Sequence, residues 1–397
     1  MREERPMKNL CIDACYGSLN KKNEELCGDR VQIVKSEENT LLVLSDGLGS
    51  GVKANILSTL TSKIISTMIS RGATIEDTVE TIAQTLPVCK VRGLAYSTFM
   101  ILQVAKDGSA YLVEYDNPPC ILVREGKIFP FDYNEKTIAG KPVRESRFTA
   151  QDGDTFIIVS DGVTQAGMGE TLSFGWGWEE VAEYISQPQR LKVSPPRLIR
   201  NVLGVCRELY LGKPGDDTTV SVMKIMRPQK VSLLSGPPKD PADDAKIVAD
   251  FMDTAGIHIV SGGTTSEILA RELGKEILVN MDYSDSDLPP TATIEGIDLA
   301  TEGVLTMRKV LDIIDDYERD PSSQKMIDEM DTGDGAAQLA KILIEQCTDL
   351  SLFIGKAVNI AHRNNDFPVE LRVKRRILDD LADAMVRLGR TVERHYY

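Results

Sequence analysis

The chain has 397 residues, 42% of them apolar and 6% aromatic, which suits two packed domains and excludes a disordered or fibrous protein. Its formal net charge of −14 is uneven, because residues 229–397 carry 19 Lys and Arg against 31 Asp and Glu. An acidic half of that kind repels a phosphate backbone and argues against a nucleic-acid partner. In chain order, apolar or alternating runs predict strands over 8–16, 31–35 and 40–45. Residues 52–70 place Ile56, Leu57, Leu60, Ile64 and Ile65 at helical spacing. A second helix is expected over 74–85, capped by Thr74 and stopped by Pro87. Further strands follow at 96–104, 109–115, 121–123, 127–131, 155–160 and 218–225, separated by Gly, Pro, Asn and Asp. Two packed antiparallel sheets flanked by helices is the simplest arrangement of that order.

Pro228 and the proline-rich stretch 235–241 break the chain, and the rhythm changes beyond them. Strands at 231–234, 258–260, 277–279 and 350–354 alternate with helices at 243–254, 265–273, 301–316, 336–346 and 371–388. Such alternation predicts an open, mainly parallel α/β sheet. Residues 282–290 read as an exposed loop. The expected domains are therefore 1–228 and 229–397.

No apolar run approaches the roughly 20 residues that a membrane span needs. The charged start has no apolar stretch behind it, so neither a membrane partner nor a secretory leader is expected, and a cytoplasmic location is. Seven cysteines without CxxC spacing suit buried small hydrophobes better than a disulfide framework or a zinc ribbon. Cys89 precedes Lys90 and Arg92 without the Cys-x5-Arg spacing of a cysteine phosphatase.

Acidic residues stand at strand ends or beside glycines: Asp29 in Gly28-Asp29, Asp46 in Ser45-Asp46-Gly47, Asp161 in Ser160-Asp161-Gly162, and the pair Asp216-Asp217. Two of these repeat one design, an apolar strand followed by Ser-Asp-Gly. The rigid strand positions the carboxylate, and the glycine turns its carbonyl toward the same space. Aspartates gathered without Lys or Arg repel one another, and a divalent cation resolves that. Carboxylates, carbonyls and water are the donors that Mg²⁺ and Mn²⁺ select.

The order Gly-Asp, Ser-Asp-Gly-x-Gly-x-Gly, Ser-Thr-Phe, Ser-Asp-Gly and Asp-Asp-x-Thr-Val resembles the PP2C-type metal-dependent serine/threonine phosphatases, nearest the bacterial SpoIIE branch, over about residues 8–226. The resemblance implies an α+β fold, a PP2C-like α/β/β/α two-sheet sandwich, followed here by the smaller α/β domain. It implies two Mn²⁺ or Mg²⁺ ions. Asp46 would bridge both and be the catalytic aspartate, with the Gly47 carbonyl on one of them. Asp29 would serve the second ion, Asp161 and Asp216 the first, and Asp217 ranks behind Asp216. Ser97-Thr98 would support the site, and residues 116–120 would form a structural turn. The implied activity is hydrolysis of phosphoserine or phosphothreonine in a phosphoprotein by a metal-bridging water.

Eukaryotic members carry a histidine after the Asp-Gly where this chain has Leu48, and all three histidines, His258, His362 and His395, lie in the second half. The SpoIIE branch also lacks that histidine, which leaves protonation of the leaving oxygen to water. Arg71 and Arg92 could hold substrate phosphate, whereas Arg30, next to Asp29 in a strand, would point to the opposite face and is a poor substitute. Helices 52–70 and 74–85 correspond to a regulatory switch in SpoIIE-like phosphatases, or are plain packing helices. In the second half, Gly262-Gly263-Thr264-Thr265 opens a helix and could bind an anion or be an ordinary cap. The loop 295–303 would face it across the sheet edge. A regulatory or substrate-docking role for 229–397, a homodimer, and a PP2C-fold scaffold or ligand sensor with little catalysis all stay open.

Overall fold

The computed structural model describes residues 10–85, 97–280, 290–357 and 367–397, with side chains from 375 onward in the last segment. Pro87, Cys89, Arg92, Tyr96, His362 and most of the loop 282–290 lie outside the described residues. The chain divides into two units, Met1–Met226 and Arg227–Tyr397.

The first unit runs β1 (Cys11–Leu19), β2 (Asp29–Lys35), β3 (Asn39–Gly47), α1 (Gly51–Ser70), α2 (Ile75–Thr85), β4 (Ser97–Ala105), β5 (Ser109–Tyr115), β6 (Ile121–Arg124) and β7 (Lys127–Phe129). It continues with β8 (Asn134–Ile138), β9 (Lys141–Thr149), β10 (Thr155–Val159), α3 (Asp161–Thr164), α4 (Trp178–Ser186), α5 (Pro188–Leu191), α6 (Pro195–Leu209) and β11 (Thr218–Met226). Two antiparallel sheets result, in the orders β1-β11-β10-β6-β7 and β2-β3-β4-β5-β9-β8. Strand alternation sends successive side chains to opposite faces. Leu42 and Leu44 of β3 meet Phe156 and Ile158 of β10 between the sheets. Leu41 and Val43 turn the other way onto Ile65 and Ile69 of α1 and Val79 of α2. Ile157 and Val159 pack under Val181 of α4 and Ile199 and Val202 of α6. Each such side chain, fully buried, contributes roughly 1.5–3 kcal/mol. The architecture is the α/β/β/α sandwich.

Several elements differ from the sequence expectation. The first strand extends to Leu19 rather than ending at 16, because its register with β11 continues to Leu19 opposite Thr218. The hairpin β8–β9 has too few apolar residues to read as strands; it turns at Ala139-Gly140, both with positive φ, as a two-residue hairpin requires. Helix α6, absent from the sequence expectation, begins with Pro195-Pro196. Proline is tolerated in a first helical turn, where the N–H groups lack partners anyway.

The second unit runs β12 (Lys230–Ser235), α7 (Asp244–Met252), β13 (Ile257–Ser261), α8 (Gly263–Leu273), β14 (Ile277–Val279), β15 (Ala292–Ile294), β16 (Leu299–Thr301) and α9 (Val304–Arg319). Then follow α10 (Gln324–Met330), α11 (Gly335–Lys341), β17 (Asp349–Ile354), α12 (Phe367–Arg387) and β18 (Thr391–Tyr396). Its seven-stranded sheet has the order β14-β15-β16-β13-β12-β17-β18. Strands β16, β13, β12, β17 and β18 are parallel, with β14 and β15 antiparallel at one edge. Helices α9–α12 cover one face and α7 and α8 the other. Residues 299–301, expected within a loop, are strand β16, and α9 starts only at Val304.

Candidate metal centre and active site

The aspartates are placed by strand register. Asp29 opens β2 and Asp46 is the penultimate residue of β3, and the two stand directly opposite each other in the antiparallel pair. The Gly47 N–H donates to the Gly28 carbonyl at 3.2 Å, which closes the end of that ladder. Asp161 opens α3 immediately after β10, and its Oδ2 accepts from Gln165 Nε2 at 3.0 Å. Asp217 precedes β11 and packs against the glycine of Gly28-Asp29: a Cβ on Gly28 would meet Asp217 Oδ2 at 2.7 Å. Gly162 fits only because it lacks a side chain, since a Cβ there would lie 2.1 Å from the Asp217 carbonyl oxygen. Two loops far apart in sequence are thereby locked together.

Burial pushes the Asp46 carboxyl up to about 9, with the charges of Asp29, Asp161 and Asp216 adding to the effect. Burial also lifts Asp29, to about 7. The Ser160 and Thr219 hydroxyls face Asp29 and moderate the rise, while Asp217 and Asp161 reinforce it. Neither carboxylate oxygen of Asp29 has a hydrogen-bond partner of good geometry, although the residue is only 5% exposed. Asp161 is raised by burial and then by Asp216. Orphaned buried oxygens and mutually repelling carboxylates are the conditions that a hard divalent cation relieves. The donor chemistry fits. Among the described residues, however, no group of three or more His, Cys, Asp or Glu side chains is placed so as to hold an ion.

The remaining expectations fall as follows. Asp217 is buried and accepts the Lys21 main-chain N–H at 3.0 Å, whereas Asp216 is half-exposed and pairs with Lys21 Nζ at 3.2 Å. The aspartate ranked second thus sits deeper. The Ser97 hydroxyl donates to the Asp46 carbonyl at 2.7 Å, which is support from the main chain outward. Asn117 donates to the Val159 carbonyl and Trp178 Nε1 to the Pro119 carbonyl, so residues 116–120 clamp β10 and α4. Gly47 lies against α1, where a Cβ would come within 2.1 Å of the Ala54 carbonyl oxygen. The β3 turn and the first turns of α1 are therefore packed backbone to backbone. Cys27 stands near Asp29 and Asp217, and burial with those charges raises its thiol to about 12. It is no thiolate nucleophile at neutral pH.

Sequence reasoning missed Lys21, whose only local signal is a Lys-Lys pair after a strand. In the second unit, the Thr265 hydroxyl accepts the Gly236 N–H at 3.0 Å and the Ser266 hydroxyl donates to the Gly262 carbonyl. A Cβ on Gly263 would sit 3.5 Å from a Glu302 carboxylate oxygen, which disfavours an anion at that turn. Gly355 and Ala357 donate to the Ser235 and Pro237 carbonyls, so backbone fills the gap between β12 and β17 where the strand order reverses.

Residues 36–226 match the family of Stage II sporulation protein E (SpoIIE). The PP2C phosphatase domain of Bacillus subtilis SpoIIE with a fragment of its regulatory domain is 18% identical, with a TM-score of 0.47. That match covers 55% of this chain and 65% of the other, so the chain spans less than two thirds of that structure. The RsbU and RsbW domains of a Mycobacterium tuberculosis protein are 19% identical, with a TM-score of 0.43 over 68% of this chain and 71% of that one. RsbX in complex with magnesium is 20% identical, with a TM-score of 0.39 over 54% and 95%. No curated protein matches the chain. Among the described residues, no helix is long and apolar enough to cross a membrane.

Proposed function

We propose that this SpoIIE-like PP2C domain is a metal-dependent phosphatase acting on phosphoserine or phosphothreonine in a protein substrate. The observation that carries the reading is the opposed pair Asp29–Asp46, whose carboxyls burial and neighbouring aspartates raise well above the usual aspartate range. Asp29, Asp46, Asp161, Asp216 and Asp217, with the Gly47 carbonyl, are the groups that would hold Mn²⁺ or Mg²⁺. When bound, such ions supply charge neutralisation and a water acidic enough to attack phosphorus.

The chain's own residues do the rest. Strands β2 and β3 fix the opposed carboxylates in one register. Gln165 orients Asp161 through its Oδ2. Lys21 steers Asp216 and holds Asp217 by its main chain. Residues 1–228 hold no histidine, and the proton for the leaving alkoxide is assigned to water. Residues 229–397 contribute none of these aspartates and are proposed to regulate the first unit or to dock its substrate. The test is hydrolysis of p-nitrophenyl phosphate and of a phosphoserine peptide by the full chain, with Mn²⁺ or with EDTA. Hydrolysis independent of added metal, or none under either condition, removes the reading.

A further inference from the structure

We infer that Lys21 is the side chain that meets the phosphoryl group of the substrate, an inference that rests on the phosphatase reading above. The charge count at the site poses the question. When ionised, Asp29, Asp46, Asp161, Asp216 and Asp217 carry five negative charges, and two divalent cations leave one of them uncompensated. A phosphoester dianion approaching that site meets net repulsion unless another cation is near.

Among the described residues, the basic side chain paired with this set is Lys21, whose Nζ lies 3.2 Å from Asp216 Oδ1. The side chain is 34% exposed and Asp216 37%, so the ammonium stands at the edge of the cluster, where solvent and substrate reach it. Its backbone is held on both sides: the Lys21 N–H donates to Asp217 Oδ1 at 3.0 Å, and the Lys22 N–H donates to the Pro214 carbonyl at 2.9 Å. A fixed backbone below the flexible four-carbon stem of a lysine suits a group that exchanges partners. Once a cation engages Asp216, the ammonium is free to turn to a phosphoryl oxygen.

The arginines considered from sequence do not serve. Arg30 is exposed while its neighbour Asp29 is buried, on the opposite face of β2. Arg71 follows the last turn of α1, about 25 Å along the helix from Ala54, the residue that Gly47 touches. Arg92 lies outside the described residues.

The test compares the full-length protein with Lys21→Ala and Lys21→Arg in Mn²⁺. Loss of one charge-assisted contact predicts that Lys21→Ala raises both KM for p-nitrophenyl phosphate and the inhibition constant of inorganic phosphate by roughly tenfold or more. Calorimetric Mn²⁺ affinity should stay or tighten, because a competing ammonium has gone, and Lys21→Arg should recover most of the phosphate affinity. Unchanged KM and phosphate inhibition with tighter Mn²⁺ binding would make Lys21 a counter-ion only and overturn the inference, leaving the phosphatase reading intact. If the wild-type protein hydrolyses nothing, that reading falls, and calorimetric binding of inorganic phosphate to the Mn²⁺-loaded proteins still decides for or against Lys21. The main-chain bond to Asp217 survives both substitutions, so thermal melting of each variant should match the wild type.

Discussion

Asp29 and Asp46 face each other across neighbouring antiparallel strands, both largely withdrawn from water. Like charges directly opposed on a sheet destabilise it, and here burial deepens the penalty. The pair holds protons that ordinary aspartates give up.

That arrangement sets the pH dependence of the cation-free protein. The folded-state values, about 7 for Asp29 and about 9 for Asp46, lie above the unfolded value near 4. Between about pH 4 and 9 the folded state holds more protons than the unfolded one, so stability falls as pH rises through that window. Thermal melting in EDTA from pH 5 to 9 should show a falling midpoint, and Asp46→Asn should flatten the slope. Added Mn²⁺ should stabilise more at pH 8 than at pH 5. A midpoint rising with pH in EDTA would contradict the buried pair.

Removing the carboxylate charge should separate stability from activity. Asp46→Asn is expected to lower Mn²⁺-supported hydrolysis at least about a hundredfold. The same change should leave the melting temperature in EDTA unchanged or raised, since it removes a repulsion. Wild-type turnover by this variant at saturating Mn²⁺ would show that the site is misassigned.

Two glycine substitutions on the same unit should behave oppositely. Gly162→Ala forces a Cβ to within 2.1 Å of the Asp217 carbonyl oxygen and disturbs the Tyr210 hydroxyl bond to the Gly162 carbonyl. It should cost about 1–3 kcal/mol and impair hydrolysis. Gly204→Ala lies inside α6 with nothing within 4 Å of the new Cβ, and should gain about 0.5–1 kcal/mol. Denaturant unfolding of the two proteins checks both signs.

Thiol chemistry should be irrelevant to turnover. Burial and the charges of Asp29 and Asp217 raise the Cys27 thiol to about 12, and burial also lifts Cys15, Cys120 and Cys206. Iodoacetamide on the native protein is expected to spare hydrolysis that EDTA abolishes. The reverse outcome would point to a cysteine nucleophile.

The chain ending at residue 228 should fold and bind as many Mn²⁺ ions as the full protein. All five aspartates and three of the apolar cores belong to the first unit. Calorimetric titration of both proteins, each shown folded by circular dichroism, measures this. Loss of one ion from the folded shorter chain would show that residues 229–397 supply a ligand.

Much of the fold was legible locally, because periodicity and turn chemistry are properties of short segments. The repeated apolar strand and Ser-Asp-Gly located Asp46 and Asp161, and strand–helix alternation after Pro228 revealed a parallel sheet. Helix α6 carries a stripe of Leu198, Ile199, Val202 and Cys206 at helical spacing, a local signal that could have found it. The polar hairpin β8–β9 gave no such signal; pairing with β5 makes β9 a strand.

What tertiary structure alone decided was which charges meet. No local pattern says that Asp29 stands opposite Asp46, or that Lys21 reaches Asp216 and Asp217 across some 195 residues of chain. Nor does any pattern predict that Gly162 must be bare to clear the Asp217 backbone. In the second unit, no local pattern says that the Thr265 hydroxyl of the Gly262-Gly263-Thr264-Thr265 turn accepts the Gly236 N–H, or that Glu302 lies beside Gly263. The physical reason is common to all of these. Periodicity reports which face a residue presents, while electrostatics and steric fit depend on what the opposing segment brings to that face.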